Sequence, residues 1–108
     1  MPKITNKQAR AFVQNLKPFA TSRRTLYAEW QTPTLYAVFS YGPHWPLFIY
    51  DVEDGTWFEN EDKYGVTTTQ HRNHTHPRTK TELRSTNYLR TLIAMRASDK
   101  CNDLYTGE

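Results

Sequence analysis

Between Leu26 and Phe58 the chain is crowded with aromatic and β-branched side chains: Tyr27, Trp30, Tyr36, Val38, Phe39, Tyr41, Trp45, Phe48, Ile49, Tyr50, Trp57 and Phe58. Directly after this block, positions 66–77 read Val-Thr-Thr-Thr-Gln-His-Arg-Asn-His-Thr-His-Pro, almost wholly polar. The first stretch can build a core and the second cannot. The rings are therefore expected to supply the scaffold, leaving the histidines of the second stretch to solvent or to a partner. Only 37% of the chain is hydrophobic but 14% is aromatic. Large rings carry enough apolar area per residue to make one modest core without staples.

The periodicities give an α+β fold. Thr5 and Gln8 have capping-box spacing, and Ala9, Phe12, Val13 and Leu16 follow as one apolar stripe, so a helix is predicted that Pro18 stops. Leu26, Ala28 and Trp30 alternate with polar or partly polar neighbours, which predicts a half-buried strand. Leu35 to Tyr41 is apolar on both faces and is expected to be central. Leu47 to Asp51 and Thr56 to Glu59 follow, joined by a turn in which Gly55 supplies positive φ. This spacing predicts an antiparallel meander of about four strands. The N-terminal helix and a C-terminal helix capped at Ser85 or Thr86 would cover one face, leaving the other wet. A short polar helix starting at Thr67 or Thr68 would end before Pro77, and 78–84 would be extended. Residues 1–97 are thus expected to form a single domain, and 98–108 a polar, flexible tail.

Charge is segregated. Positions 1–50 hold six Lys/Arg against Glu29, a balance of +5. Positions 51–65 hold six acids against Lys63, a balance of −5, and positions 66–108 hold seven bases against four acids, a balance of +3. Basic regions that meet in space attract polyanions. The lone cysteine, Cys101, makes no internal disulfide, and no apolar run resembles a signal peptide or a membrane span. A soluble intracellular protein with no membrane partner is the expectation.

Three groups of residues are candidates for chemistry. His71, His74 and His76 form H-x₂-H-x-H, which zinc or another divalent ion could use, although the spacing matches no standard metal motif. Histidines in a polar loop are equally at home in water or bonded to backbone. His44 and Trp45 lie between Pro43 and Pro46 in a stiff loop that can present the indole as a stacking platform, or fold it inward over the core. Tyr41, His71, Arg72 and Arg78 complete an aromatic-and-basic set of the kind that contacts nucleic acid. The acids between Asp51 and Asp62 fit a solvated hairpin better than a cation site. No Gly-rich phosphate loop, Gly-x-Ser-x-Gly elbow or His-Glu-x-x-His is present, so no catalytic residue is assigned.

Across 36–77, the run Ser40 to Leu47, then Tyr50-Asp51, Trp57, Asn60, Lys63-Tyr64, Thr67-Thr68, His71 and His76-Pro77, resembles small proteins encoded by bacteriophages and other mobile elements. Those relatives often carry serine after the tyrosine, where this chain has Gly65. The resemblance implies a setting rather than a mechanism: a viral accessory protein in the host cytoplasm. That setting favours a non-enzymatic binding module for nucleic acid or for a host nucleic-acid-handling (defence) protein. A metal-dependent phosphodiesterase using His71 to His76 is one alternative. A nucleotide-sequestering homo-oligomer with an aromatic pocket is another. On this division of the chain, His71→Ala is expected to leave the fold intact and Phe39→Ala to unfold it.

Overall fold

Alternation along the ring-rich block is satisfied on both sides of the sheet it builds. The structure, a computed structural model, describes residues 3–62 and 65–106, with side chains described as far as Ala97. The side chains and last two residues of the expected tail, and Lys63-Tyr64 of the phage-like pattern, lie outside the described residues. The strands are β1 (Phe19–Ala20), β2 (Leu26–Thr32), β3 (Leu35–Ser40), β4 (Pro46–Asp51), β5 (Thr56–Asn60) and β6 (Glu82–Arg84). They lie in chain order in one six-stranded sheet. Every neighbouring pair is antiparallel except β5 and β6, which are parallel. The α-helices are α1 (Ala9–Gln14), α2 (Val66–Thr75) and α3 (Thr86–Thr106).

The fold is α+β, as the sequence predicts, but the expected four-stranded antiparallel sheet is replaced by a six-stranded mixed one. Residues 19 and 20, just past the helix stop at Pro18, pair with Ala28 and Tyr27 as an added edge strand. The extended segment before α3 docks beside β5. A parallel pair needs a crossover, and the polar helix α2 provides it. Two- and three-residue strands are too short to show a period of two.

The second correction concerns layers. Tyr36, Val38, Phe48 and Trp57 pack with Ala9 and Val13 of α1 on one face. Leu35, Ala37, Phe39, Ile49 and Phe58 pack with Leu89 of α3 on the other. Both faces are therefore covered, and β3 is buried along its whole length. The terminal helices sit on opposite faces, and the face expected to be wet carries half the core. Helix α3 also continues to Thr106, past the end at Ala97 that the apolar spacing predicts.

Local signals hold where chemistry fixes them. The Thr5 N–H donates to Gln8 Oε1 at 2.9 Å. Helix α1 ends with Leu16 at φ 55°, while Lys17 N–H reaches back to Phe12 O at 2.9 Å and Leu16 N–H to Val13 O at 3.0 Å. This is the Schellman pattern, with leucine in the place usually taken by glycine. Ser85 Oγ accepts the Tyr88 N–H at 3.1 Å, capping α3 as its sequence suggests. Asp62 adds a carboxylate that accepts the Thr86 N–H at 2.8 Å, and the hydrogen bonds from Thr86 lower its pKa. Far along α3, Arg96 joins the buried Asp51 at 2.5 Å and Glu53 at 3.0 Å. The acids of the β4–β5 hairpin thus serve partly to anchor α3.

Phe39 stacks on Tyr27 with ring centroids 5.2 Å apart, beneath α3. Phe39→Ala is expected to cost about 3–5 kcal/mol, a large part of the roughly 5–15 kcal/mol typical of a domain this size. Urea unfolding should show a lower midpoint at an unchanged slope. A midpoint within error of wild type would refute the two-sided core.

Candidate functional site

Helix α2 has no apolar stripe, so it docks on the sheet through polar atoms. His71 Nδ1 lies 2.8 Å from Ser40 Oγ, and Thr68 Oγ1 lies 3.3 Å from the same hydroxyl. Thr75 Oγ1 donates back to His71 O at 2.8 Å. Arg72 donates to Asn60 O at 2.9 Å and lies 4.0 Å from Glu59. Glu59 also accepts from Thr81 Oγ1 at 2.7 Å and from His76 Nε2 at 3.1 Å. His76 Nδ1 accepts the Arg78 N–H at 3.0 Å, which fixes the tautomer with the proton on Nε2. The ring of His76 meets Phe48 edge-on at 5.4 Å.

These contacts overturn part of the expected division of labour. His71 is only 3% exposed, so it belongs to the interior. Burial pushes its pKa down, and the neighbouring His74 pushes in the same direction. Ser40 and His71 have the spacing of a nucleophile and its base, but Ser40 is 0% exposed and no external substrate reaches its hydroxyl. His76 has both ring nitrogens engaged within the fold. Among the described residues, no three His, Cys, Asp or Glu side chains are grouped to hold a metal ion. Arg72 donates inward to Asn60 O and lies near Glu59, so part of its guanidinium is engaged within the fold.

The remaining candidates separate into two places. Tyr41, His44 and Trp45 lie on the loop joining β3 to β4 and are exposed, Tyr41 by 54% and Trp45 by 42%. Tyr41 holds φ 64° and Gly42 φ 144°, a bend that turns the loop away from the strand. The Tyr41 ring lies over His71 at 5.5 Å, so the buried imidazole supports the exposed phenol. The Tyr41 N–H donates to Thr25 O at 2.8 Å, tying this loop to the turn that carries Arg23 and Arg24. Arg24 stands over the Tyr27 ring at 4.3 Å, and 3.8 Å from Glu29.

Arg78 lies elsewhere, just beyond the C-terminal end of α2. It lines a cavity of about 330 Å³ with Arg10, Asn73 and His76. Arg10 belongs to α1, more than sixty positions earlier, and the sequence offers no signal that would join the two. No helix among the described residues is long and apolar enough to cross a membrane. No protein-family model, curated protein or solved structure matches the chain.

Two outcomes follow for His71. His71→Ala removes the partner of Ser40 inside the fold, so it is expected to cost about 1–3 kcal/mol. The same burial makes stability depend on pH. The folded pKa lies below the unfolded value of about 6.5, so the unfolded chain binds more protons once the pH drops below that value. The contribution is fully present above it and is lost as the pH falls toward the folded pKa. Urea midpoints measured between about pH 8 and about pH 5 should fall on acidification, and the fall should be smaller in His71→Gln. Identical pH profiles for the two proteins would contradict the buried placement.

Proposed function

We propose that this chain is a non-enzymatic module that binds single-stranded nucleic acid through the β3–β4 loop and the adjoining arginine turn. One observation carries the reading: exposed Tyr41 and Trp45 share a loop that a backbone hydrogen bond ties to the turn bearing Arg23 and Arg24. Flat exposed rings stack on bases of any sequence, and guanidinium groups pair with phosphates. Two such elements side by side match the repeat of a nucleic-acid strand, in which every base comes with a charge. The basic balance of positions 1–50 supports the same reading.

The histidines fit a scaffolding role better than a catalytic one, because the bonds of His71 and His76 are spent inside the fold. The resemblance of 36–77 to small phage-encoded proteins supports an accessory protein of the host cytoplasm that works by occlusion. A strand held on such a platform is shielded from host enzymes stoichiometrically, without turnover.

Anisotropy of a labelled oligothymidine should report binding that weakens steeply between about 50 and 200 mM salt. Tyr41→Ala and Trp45→Ala are each expected to lose about 1–3 kcal/mol of affinity, the worth of one base stack. Arg23→Ala and Arg24→Ala should each flatten the salt slope by roughly 0.7. Binding that ignores both aromatic substitutions would defeat the proposal. Retention of a host protein after nuclease treatment, with no affinity for the oligonucleotide, would transfer the surface to a protein partner.

A further inference from the structure

The pocket beyond α2 brings two like charges to one wall. Arg10 and Arg78 both line it, together with Asn73 and His76, and among the described residues no carboxylate does. Glu59 meets His76 at Nε2 and is not among the lining residues. Two guanidinium groups brought to one cavity wall favour an anion between them.

The pocket walls are tied together by hydrogen bonds. Arg10 Nε donates to His76 O at 2.9 Å, and its Nη2 donates to Asn73 O at 2.5 Å. These bonds cap the carbonyls at the end of α2, whose partial negative charge would otherwise oppose an anion. Gln14 Nε2 donates to Pro77 O at 3.0 Å. The Arg78 N–H is held by His76 Nδ1 at 3.0 Å. Within this clamp Arg78 adopts φ 60°, a left-handed conformation that a long side chain takes at a cost. Such strain persists where the surroundings over-determine it, and it concentrates at ligand sites. Here it holds an arginine beside a second arginine.

We propose that the pocket of Arg10, Asn73, His76 and Arg78 binds a phosphate monoester. The guanidinium of Arg78 would form the charged fork on the phosphate oxygens, beside an Arg10 already fixed by its carbonyl bonds. The cavity volume is at the lower end of small-ligand sites, large enough for a phosphate with its attached sugar. The group comes either from a free phosphate ester or from the terminal phosphate of a nucleic-acid strand. This site is separate from the Tyr41–Trp45 loop and stands or falls independently of it.

Titration of the full chain with inorganic phosphate, followed by amide and arginine Nε–H resonances, tests it. Saturable shifts confined to Arg10, Asn73 and Arg78 are expected. Arg10 also holds the turn, so its loss endangers folding. Arg78→Asn keeps a residue that tolerates positive φ and removes the charge. It should melt like wild type and weaken phosphate binding by roughly tenfold or more. Arg78→Lys, which keeps the charge without the planar fork, should bind phosphate more weakly than wild type. Non-saturating shifts spread over Arg23 and Arg24, or equal affinity in Arg78→Asn, would overturn the site. The source is separated in a Tyr41→Ala, Trp45→Ala background. Tighter binding of a 5′-phosphorylated than of a 5′-hydroxyl oligothymidine assigns the pocket to strand ends. Equal binding of the two, with inorganic phosphate still saturating, assigns it to free phosphate esters.

Discussion

A ten-residue helix without an apolar stripe lies across the sheet, and its polar docking is the constraint on which the rest depends. Ser40 meets His71, Asn60 O meets Arg72, and Glu59 meets His76. Hydrophobic packing tolerates sliding, whereas hydrogen bonds between fixed atoms set one register. Leaving the buried Ser40–His71 pair half-made costs more than the bond contributes. Among the described side chains, no buried nitrogen or oxygen lacks a hydrogen-bond partner. Helix α2 is therefore held in one position, and with it the β5–β6 crossover and the turn at 76–78.

That fixed helix links the two surfaces proposed to bind ligands. Midway along it His71 lies under Tyr41, and at its C-terminal end the carbonyls of Asn73 and His76 meet Arg10. Both places involve a non-glycine residue at positive φ, Tyr41 at 64° and Arg78 at 60°. Leu16, also at positive φ, closes a helix, and its conformation is accounted for by the capping bonds alone. Tyr41 and Arg78 close no helix. Their strain is held by contacts with α2 and its C-terminal turn, and each carries an exposed side chain into solvent.

Much of the fold was legible from local chemistry. Alternation located β2, apolar runs bounded by turns located β3 to β5, the capping box started the 3₁₀ turn Asn6–Gln8 that leads into α1, and Ser85 started α3. Continuous apolarity marked β3 as interior. What escaped was long-range. Phe19–Ala20 is too short to declare itself a strand, and nothing near Glu82–Arg84 announces parallel pairing across twenty-odd residues of crossover. The threonine–histidine segment misled for a clear reason. Polarity reads as exposure, but Ser40 on an otherwise apolar strand needs a polar partner and finds it in an imidazole. A hydroxyl at the end of a two-sided buried strand is a sequence signal that some polar residue elsewhere is buried as well.

The same reasoning explains how the candidate site divided. Tyr41, His44 and Trp45 were legible as a unit because prolines and glycine confine them to one loop. Arg72 and Arg78, six positions apart on and beyond one helix, face different surroundings, since the first reaches back to the end of β5 and the second lies past the helix terminus. Arg10 could join Arg78 only after α1 had packed against α2, and that packing rests on guanidinium and amide donors meeting the carbonyls of Asn73, His76 and Pro77. An arginine that caps a distant helix has to bring its positive charge with it. Once Arg10 is committed to those carbonyls, the side chains that follow the end of α2 are placed in its field, and among the described residues no acid lines the pocket that Arg78 shares with it. The basic character of the pocket is thus a consequence of how α2 is terminated.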